Sequence, residues 1–344
     1  VTRTLHAVLP GDVDDPDSPS GGNRYDRRVL DGLSAAGWSV HEHPVPGDWP
    51  HPAPANRAAL AGMLGALPSG SLVLLDGLVA GAVPEILAPN AGRLHLVVLV
   101  HLPLGGGAER AALRHATVVV ATSTWTRRWL LDRYRLPADR VRVAVPGVDR
   151  AAAVPGSPAG GRLLCVAAVT PHKGHDTLVA ALAAVGELDW RCDCLGPLGR
   201  DPGFVERLRR QIAALGLAQR VRLVGPRTGP ALAAGYATAD LLVLASRVET
   251  YGMVVTEALA RGVPVLTTTA GGLPATLGRA PDGAAPGLLV PPDDPAALAG
   301  ALRRWLTDPT LRNRLRRAAR DRRETLTDWT TTTMSLAAAL EGTE

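Results

Sequence analysis

Three stretches of this chain carry side chains whose types and spacing could do chemistry. The first is "VAAVTPHKGHD" (166–176), which holds Lys173, the single lysine among 37 Lys and Arg residues. An apolar run, "RLLCVAAV" (162–169), precedes it, and a helix-like segment, "TLVAALAAV", follows, with Asp176 expected as its N-cap. A compact ammonium on a flexible stem, at a strand end and before a glycine, suits a phosphate-bearing ligand. Arginine fills every other Lys/Arg position, so a lysine kept here points to function.

The second stretch is "ASRVETYGMVVTEALARGVPVL" (245–266). It reads as a strand ending at Ser246, a loop with Arg247, Glu249, Tyr251 and Gly252, and a helix from Met253 to about Ala260, closed by Gly262. The loop carboxylate of Glu249 can hydrogen-bond sugar hydroxyls. The amides of Gly252 and Met253 open the helix and can meet a diphosphate. Glu257, further into that helix, can reach ribose hydroxyls. The third stretch, "SGGNRYDRRVLDGLSAAG" (20–37), opens a helix with Gly21 and Gly22, where backbone can approach a ligand closely. None of the three is a P-loop, and the glycine pair is not the G-x-G-x-x-G dinucleotide pattern.

These residues need strand ends to hold them. Apolar runs at 5–10, 71–77, 94–101, 117–123 and 141–149 in the first half alternate with helical segments, as do runs at 162–169, 189–196, 221–225, 240–246, 264–268 and 287–292 in the second. Runs of this kind fit strands covered on both faces, and their alternation with helices predicts parallel sheets. The Pro/Gly/Ser-rich "VPGSPAGG" (154–161) reads as a linker. The expected architecture is α/β: two facing doubly wound Rossmann-like domains, 1–155 and 156–325, with an interdomain cleft. A C-terminal helix over 326–344 is expected to pack back on the first domain. Ligands of such sheets bind outside the carboxyl ends of the strands.

Composition narrows the function classes. The formal charge is +5 in 344 residues, which suits phosphate-bearing substrates or an anionic membrane surface. The densest basic run, Arg312 to Arg323, lacks interleaved aromatics, which argues against nucleic acid, and reads as a solvated helix face. Three cysteines, Cys165, Cys192 and Cys194, are too few and too odd in number for a disulfide framework, and read as buried structural residues with no further metal ligand in view. No secretory signal opens the chain and no apolar run reaches about 18 residues. A cytoplasmic protein, able to rest on a membrane, is expected.

Taken in order, the motifs resemble those of the retaining glycosyltransferases of the GT-B fold, family 4 (glycosyltransferase group 1) type. The matching residues are Gly21-Gly22, Lys173-Gly174, and Glu249-Thr250-Tyr251-Gly252 running to Glu257, with "VPGVD" (145–149) and "GGLP" (271–274) in support. The resemblance implies a hexosyl group moved from a UDP- or GDP-linked sugar to an acceptor that is a glycan, a lipid-linked compound or a small molecule. It implies Glu257 on the ribose, Lys173 with the amides of Gly252 and Met253 on the diphosphate, and Glu249 on the sugar. Gly225, Pro226 and Arg227 would lie near the base, and His101 near the donor sugar. It also implies front-face attack without a metal, the nucleotide-sugar being a co-substrate rather than a cofactor. Two positions depart from the family pattern: Ala167-Ala168 stand where a "GR" dipeptide is usual, and Ala275 where a Glu is usual. Arg247 or the Gly21-Gly22 amides are expected to help Lys173 with the phosphate charge. A nucleotide-sugar isomerase on the same architecture and a non-catalytic nucleotide-sugar or glycan binder are the alternative readings. Acceptor recognition falls to the loops 11–24, 41–57 and 101–110.

Overall fold

The protein is described here by a computed structural model covering residues 3–342. The chain divides into two compact units. The first gathers Val1–Asp15, Gly21–Gly147 and Thr327–Glu344, and the second Pro16–Ser20 and Val148–Leu326. Each is built on one six-stranded sheet in which every pairing is parallel.

In the first unit the strands are β1 (Thr4–Pro10), β2 (Ser39–Val45), β3 (Leu72–Asp76), β4 (His95–Val100), β5 (Val118–Ala121) and β6 (Val141–Val143), in the order β2-β1-β3-β4-β5-β6. In the second they are β7 (Arg162–Val166), β8 (Arg191–Leu195), β9 (Val221–Gly225), β10 (Leu241–Leu244), β11 (Val265–Thr268) and β12 (Gly287–Val290), in the order β12-β11-β10-β7-β8-β9. The strand order reverses between β1 and β3 in one sheet and between β7 and β10 in the other. Those are the switch points at which doubly wound sheets hold ligands.

Apolar residues line both faces of the second sheet. Leu163 and Cys165 face Leu178, Leu182, Leu208, Leu302 and Trp305. The alternate residues Leu164, Leu242 and Leu244 face Val255 and Leu259. Both faces are therefore dry, which is why these strands read as near-continuous apolar runs rather than alternating ones.

Three sequence expectations are corrected here. The strand β2, "SVHEHPV", was not among the apolar runs, because an edge strand with half-exposed His and Glu carries no apolar signal. The 154–161 stretch is docked, not a loose linker. Buried Asp240 accepts hydrogen bonds from Ser157 N, from Ser157 Oγ at 2.6 Å and from Arg162 N at 2.9 Å, and Trp305 Nε1 donates to Gly160 O at 2.8 Å. The arginines of the Pro309–Arg322 helix are not simply a solvated face. Arg312 donates to the carbonyls of Trp305 and Leu306, Arg316 to Ser157 O, and Arg322 to Leu277 O, while Arg323, just past the helix, donates to Ala260 O.

The C-terminal helix, Trp329–Glu341, is capped by Asp328, which accepts from Thr331 N at 2.8 Å. It packs within the first unit: Thr332 Oγ1 donates to Val145 O at 2.9 Å, and the Trp329 ring meets Tyr25 edge-on at 5.9 Å. Among the described residues no helix is long and apolar enough to cross a membrane.

Candidate functional site

Lys173 and Glu249 meet at the switch point of the second sheet. Lys173 lies in the turn after β7, and Glu249 in the loop after the neighbouring strand β10. Lys173 Nζ donates to Glu249 Oε2 at 2.6 Å, both side chains being largely shielded from solvent. Ser246 Oγ lies 3.4 Å from the same carboxylate oxygen. So the two residues singled out from separate motifs form one ion pair.

Glycine backbone makes this meeting possible. Gly174 has φ +67, and a Cβ there would sit 2.1 Å from Ala245 O, so the Lys173 turn lies directly against the end of β10. Gly271 has φ +56, and its Cβ would fall 1.9 Å from Glu249 O. The amide of Gly272 also donates to Glu249 O at 2.9 Å. The "GGLP" turn thus grips the Glu249 backbone, and Ala275 beyond it, where the family pattern has Glu, leaves this grip intact.

Gly174, not Asp176, is the N-cap of the His175–Ala183 helix. Asp176 stands in the first turn, where it takes a two-pronged ion pair from Arg247, with both distances 2.9 Å. Burial works against the Asp176 carboxylate, but the Arg247 hydrogen bonds and charge outweigh it and hold its pKa below the usual value. Arg247 also donates to Asp293, Pro171 O and Thr177 Oγ1. All five of its N–H groups are accounted for. The expectation that Arg247 helps Lys173 with an anion is therefore revised: its geometry is that of a brace between the two loops.

Glu257 is buried on the Met253–Leu259 helix. Tyr236 donates its hydroxyl to Glu257 Oε2 at 2.8 Å, and the Arg261 guanidinium lies over the Tyr236 ring, 4.6 Å from its centre. Tyr251 is largely buried, which raises its hydroxyl to about 12 despite the nearby Arg322 charge. Gly252, with φ +85, is the N-cap from which Met253 starts the helix. Gly225, Pro226 and Arg227 stand at the carboxyl end of the sheet's edge strand β9, with Arg227 exposed.

In the first unit, two strand ends and a helix bring together Asp26, Asp76 and His101. His101 Nε2 lies 2.8 Å from Asp26 Oδ1 and 3.5 Å from Asp76 Oδ2. Asp76 ends β3 and accepts from Leu78 N at 2.6 Å. The second oxygen of Asp26 is buried with no hydrogen-bond partner among the described residues. Burial and the Asp26 charge raise the Asp76 carboxyl to about 7, although His101 and the Leu78 and Val79 amides pull the other way. Burial opposes charge on His101, yet Asp26 and Asp76 raise its pKa on balance. Gly21 opens the Gly21–Ala35 helix, and a Cβ on Gly22 would press on the His101 ring at 3.2 Å. Gly22 therefore makes room for the histidine.

Sequence reading missed Asp26, Asp76 and Tyr236. Their partners lie 75, 25 and 21 positions away, and no local spacing announces them. A cavity of about 460 Å³ in the first unit, lined by Arg28, Trp329 and Met334 among others, contains no residue of either group.

Residues 158–322 match the family model described as "Glycosyl transferases group 1", and residues 83–152 match "Glycosyltransferase Family 4". A protein of Jonesia denitrificans named D-inositol 3-phosphate glycosyltransferase is 32% identical over 256 residues, which are 68% of this chain and 59% of that protein. The chain thus spans about three fifths or less of the curated relatives of that name. Sucrose-phosphate synthase from Thermosynechococcus elongatus superimposes with a TM-score of 0.80 at 22% identity, over 99% of this chain and 98% of that one. Anabaena HepE, solved with UDP-glucose, does so with 0.74 at 18%, over 98% and 99%. The two-unit α/β architecture is that of the GT-B fold.

Proposed function

The chain belongs to the group 1 glycosyltransferases, and from that membership we propose that it moves a hexosyl group from a nucleoside-diphosphate sugar to an acceptor with retention. The observation that carries the reading is the Lys173–Glu249 pair at the switch point of the second sheet. A glycosyl donor needs two things there. One is positive charge where negative charge grows on the departing diphosphate, and the other is a carboxylate to orient sugar hydroxyls. Lys173 supplies the first without moving far, which is the condition for electrostatic stabilisation of a transition state. Glu249 supplies the second, and in the absence of donor it holds the ammonium in position.

Glu257, oriented by Tyr236, serves the ribose in this reading. The amides of Gly252 and Met253 add donors to the diphosphate, and the 225–227 turn serves the base. His101, held by Asp26, serves the transferred sugar. Attack comes from the face the leaving group departs, and the leaving phosphate takes the acceptor proton. Lys173 meets the charge demand that a divalent ion meets elsewhere, so turnover should survive EDTA. UDP is the first nucleotide to test, because HepE is solved with UDP-glucose. A phosphorylated polyol is the first acceptor, because the relatives are named for inositol 3-phosphate.

Calorimetric titration of the full chain with UDP, GDP and ADP tests the reading, followed by release of nucleoside diphosphate from the matching sugar donor. Binding with release that quickens on adding acceptor is expected. Failure to bind any nucleoside diphosphate would overturn it.

A further inference from the structure

All three cysteines of the chain lie in one place. Cys165 on β7 pairs in register with Cys194 on β8, and Cys192 is two residues away on the same face of β8. All three thiols are buried. Over this row sits His175, the first residue of the helix that follows the Lys173 turn. Its Nε2 lies 3.6 Å from Cys165 Sγ. The ligand atoms of Cys165, His175 and Cys194 all lie within 4.8 Å of one another, and each residue is only 1% exposed.

His175 Nδ1 is buried with no hydrogen-bond partner among the described residues, so the ring is held in the core through Nε2 and Cys165. Two thiols and an imidazole match the donor set of a thiophilic ion. With metal–sulfur bonds of about 2.3 Å and metal–nitrogen bonds of about 2.0–2.1 Å, a tetrahedral site separates sulfur from nitrogen by roughly 3.5 Å. The observed separation is 3.6 Å.

We propose that Cys165, Cys194 and His175 form a binding site for a thiophilic divalent ion of the zinc class, beneath the Lys173 turn. Two S–H protons leave to solvent as two metal–sulfur bonds form, and Nε2 of the neutral imidazole donates its lone pair. Two thiolates and one dication sum to zero charge, the state a dry core accepts. Sulfur ligands exclude Mg²⁺ and Ca²⁺. The site is independent of the transferase reading, since its test needs no donor or acceptor.

The test is refolding of the full chain with Co²⁺ alone in the presence of a thiol-free phosphine reductant, so that burial does not bar entry. One equivalent is expected to bind with an intense thiolate-to-cobalt charge-transfer band. Zn²⁺ should displace it and raise the melting temperature. Apparent affinity should rise about 100-fold per pH unit in the acid range, because two protons are released. Cys165→Ser, Cys194→Ser and His175→Gln should each abolish or severely weaken the band. Replacing His6 and His43, a half-buried histidine pair 3.0 Å apart across β1 and β2, should leave it unchanged. X-ray absorption of the zinc-loaded wild type needs no variant and should show two sulfur scatterers or more. The absence of a charge-transfer band, a band that survives Cys165→Ser, or a shell of only nitrogen and oxygen would each overturn the proposal.

Discussion

At 2.6 Å the Lys173 ammonium and the Glu249 carboxylate neutralise each other. Removing one leaves the other partly buried and alone. Lys173→Ala is expected to lower donor turnover by about 100-fold or more, the scale of losing a charge-stabilising donor. Lys173→Arg should also be impaired, because a wide planar fork does not replace a point charge held in a tight turn. Steady-state kinetics on both variants checks this. Asp76 supports a pH prediction. Its folded value of about 7 stands above the ordinary 3.8, so the folded unit holds a proton that the unfolded chain has released. Stability is therefore lost as pH rises from about 4 through about 7, and the raised His101 adds to the loss. Asp76→Asn should flatten that limb in thermal melts across pH. Lys173 was legible in the sequence because composition made it conspicuous. Asp76 was not, since an acidic residue ending a strand says nothing of the two side chains, Asp26 and His101, that two distant segments bring to it.

Two connections decide whether the elements hold their residues. The Gly271–Gly272 turn presses on the Glu249 carbonyl so closely that a methyl group cannot enter. Gly271→Ala, strained at φ +56 as well as crowded, should cost about 1–3 kcal/mol and displace Glu249. Denaturant melts and donor affinity should fall together. Asp240 fastens the segment that leads into β7 and faces Arg316 at 3.5 Å. Asp240→Ala should destabilise by about 1–3 kcal/mol, since it leaves the Ser157 and Arg162 amides without their acceptor and removes the partner of half-buried Arg316. A shift in the unfolding midpoint measures it. The strands were legible wherever both faces are dry. The exception, β2, is an edge strand whose His and Glu look outward. The arginine run was misread for a related reason: charge density along a helix does not reveal which guanidinium groups turn inward to carbonyls.

At the scale of the molecule, alternating strands and helices announced two doubly wound sheets, and the strand orders set the Lys173–Glu249 pair and Asp76 at their switch points. What sequence order conceals is that the first unit is assembled from separated pieces of chain. A chain ending at Leu326 should leave Tyr25 and the Gly32 surface of the first unit uncovered. Limited proteolysis should then cut that unit first while Val148–Leu326 resists. The same layout bears on birth at the ribosome. The Trp329–Glu341 helix emerges only after the whole second unit, so the first unit is the later of the two to be completed. At typical elongation rates its nascent sheet waits roughly ten seconds or more with one flank bare. During that interval the helix-receiving surface around Tyr25 is a natural place for a chaperone to hold on.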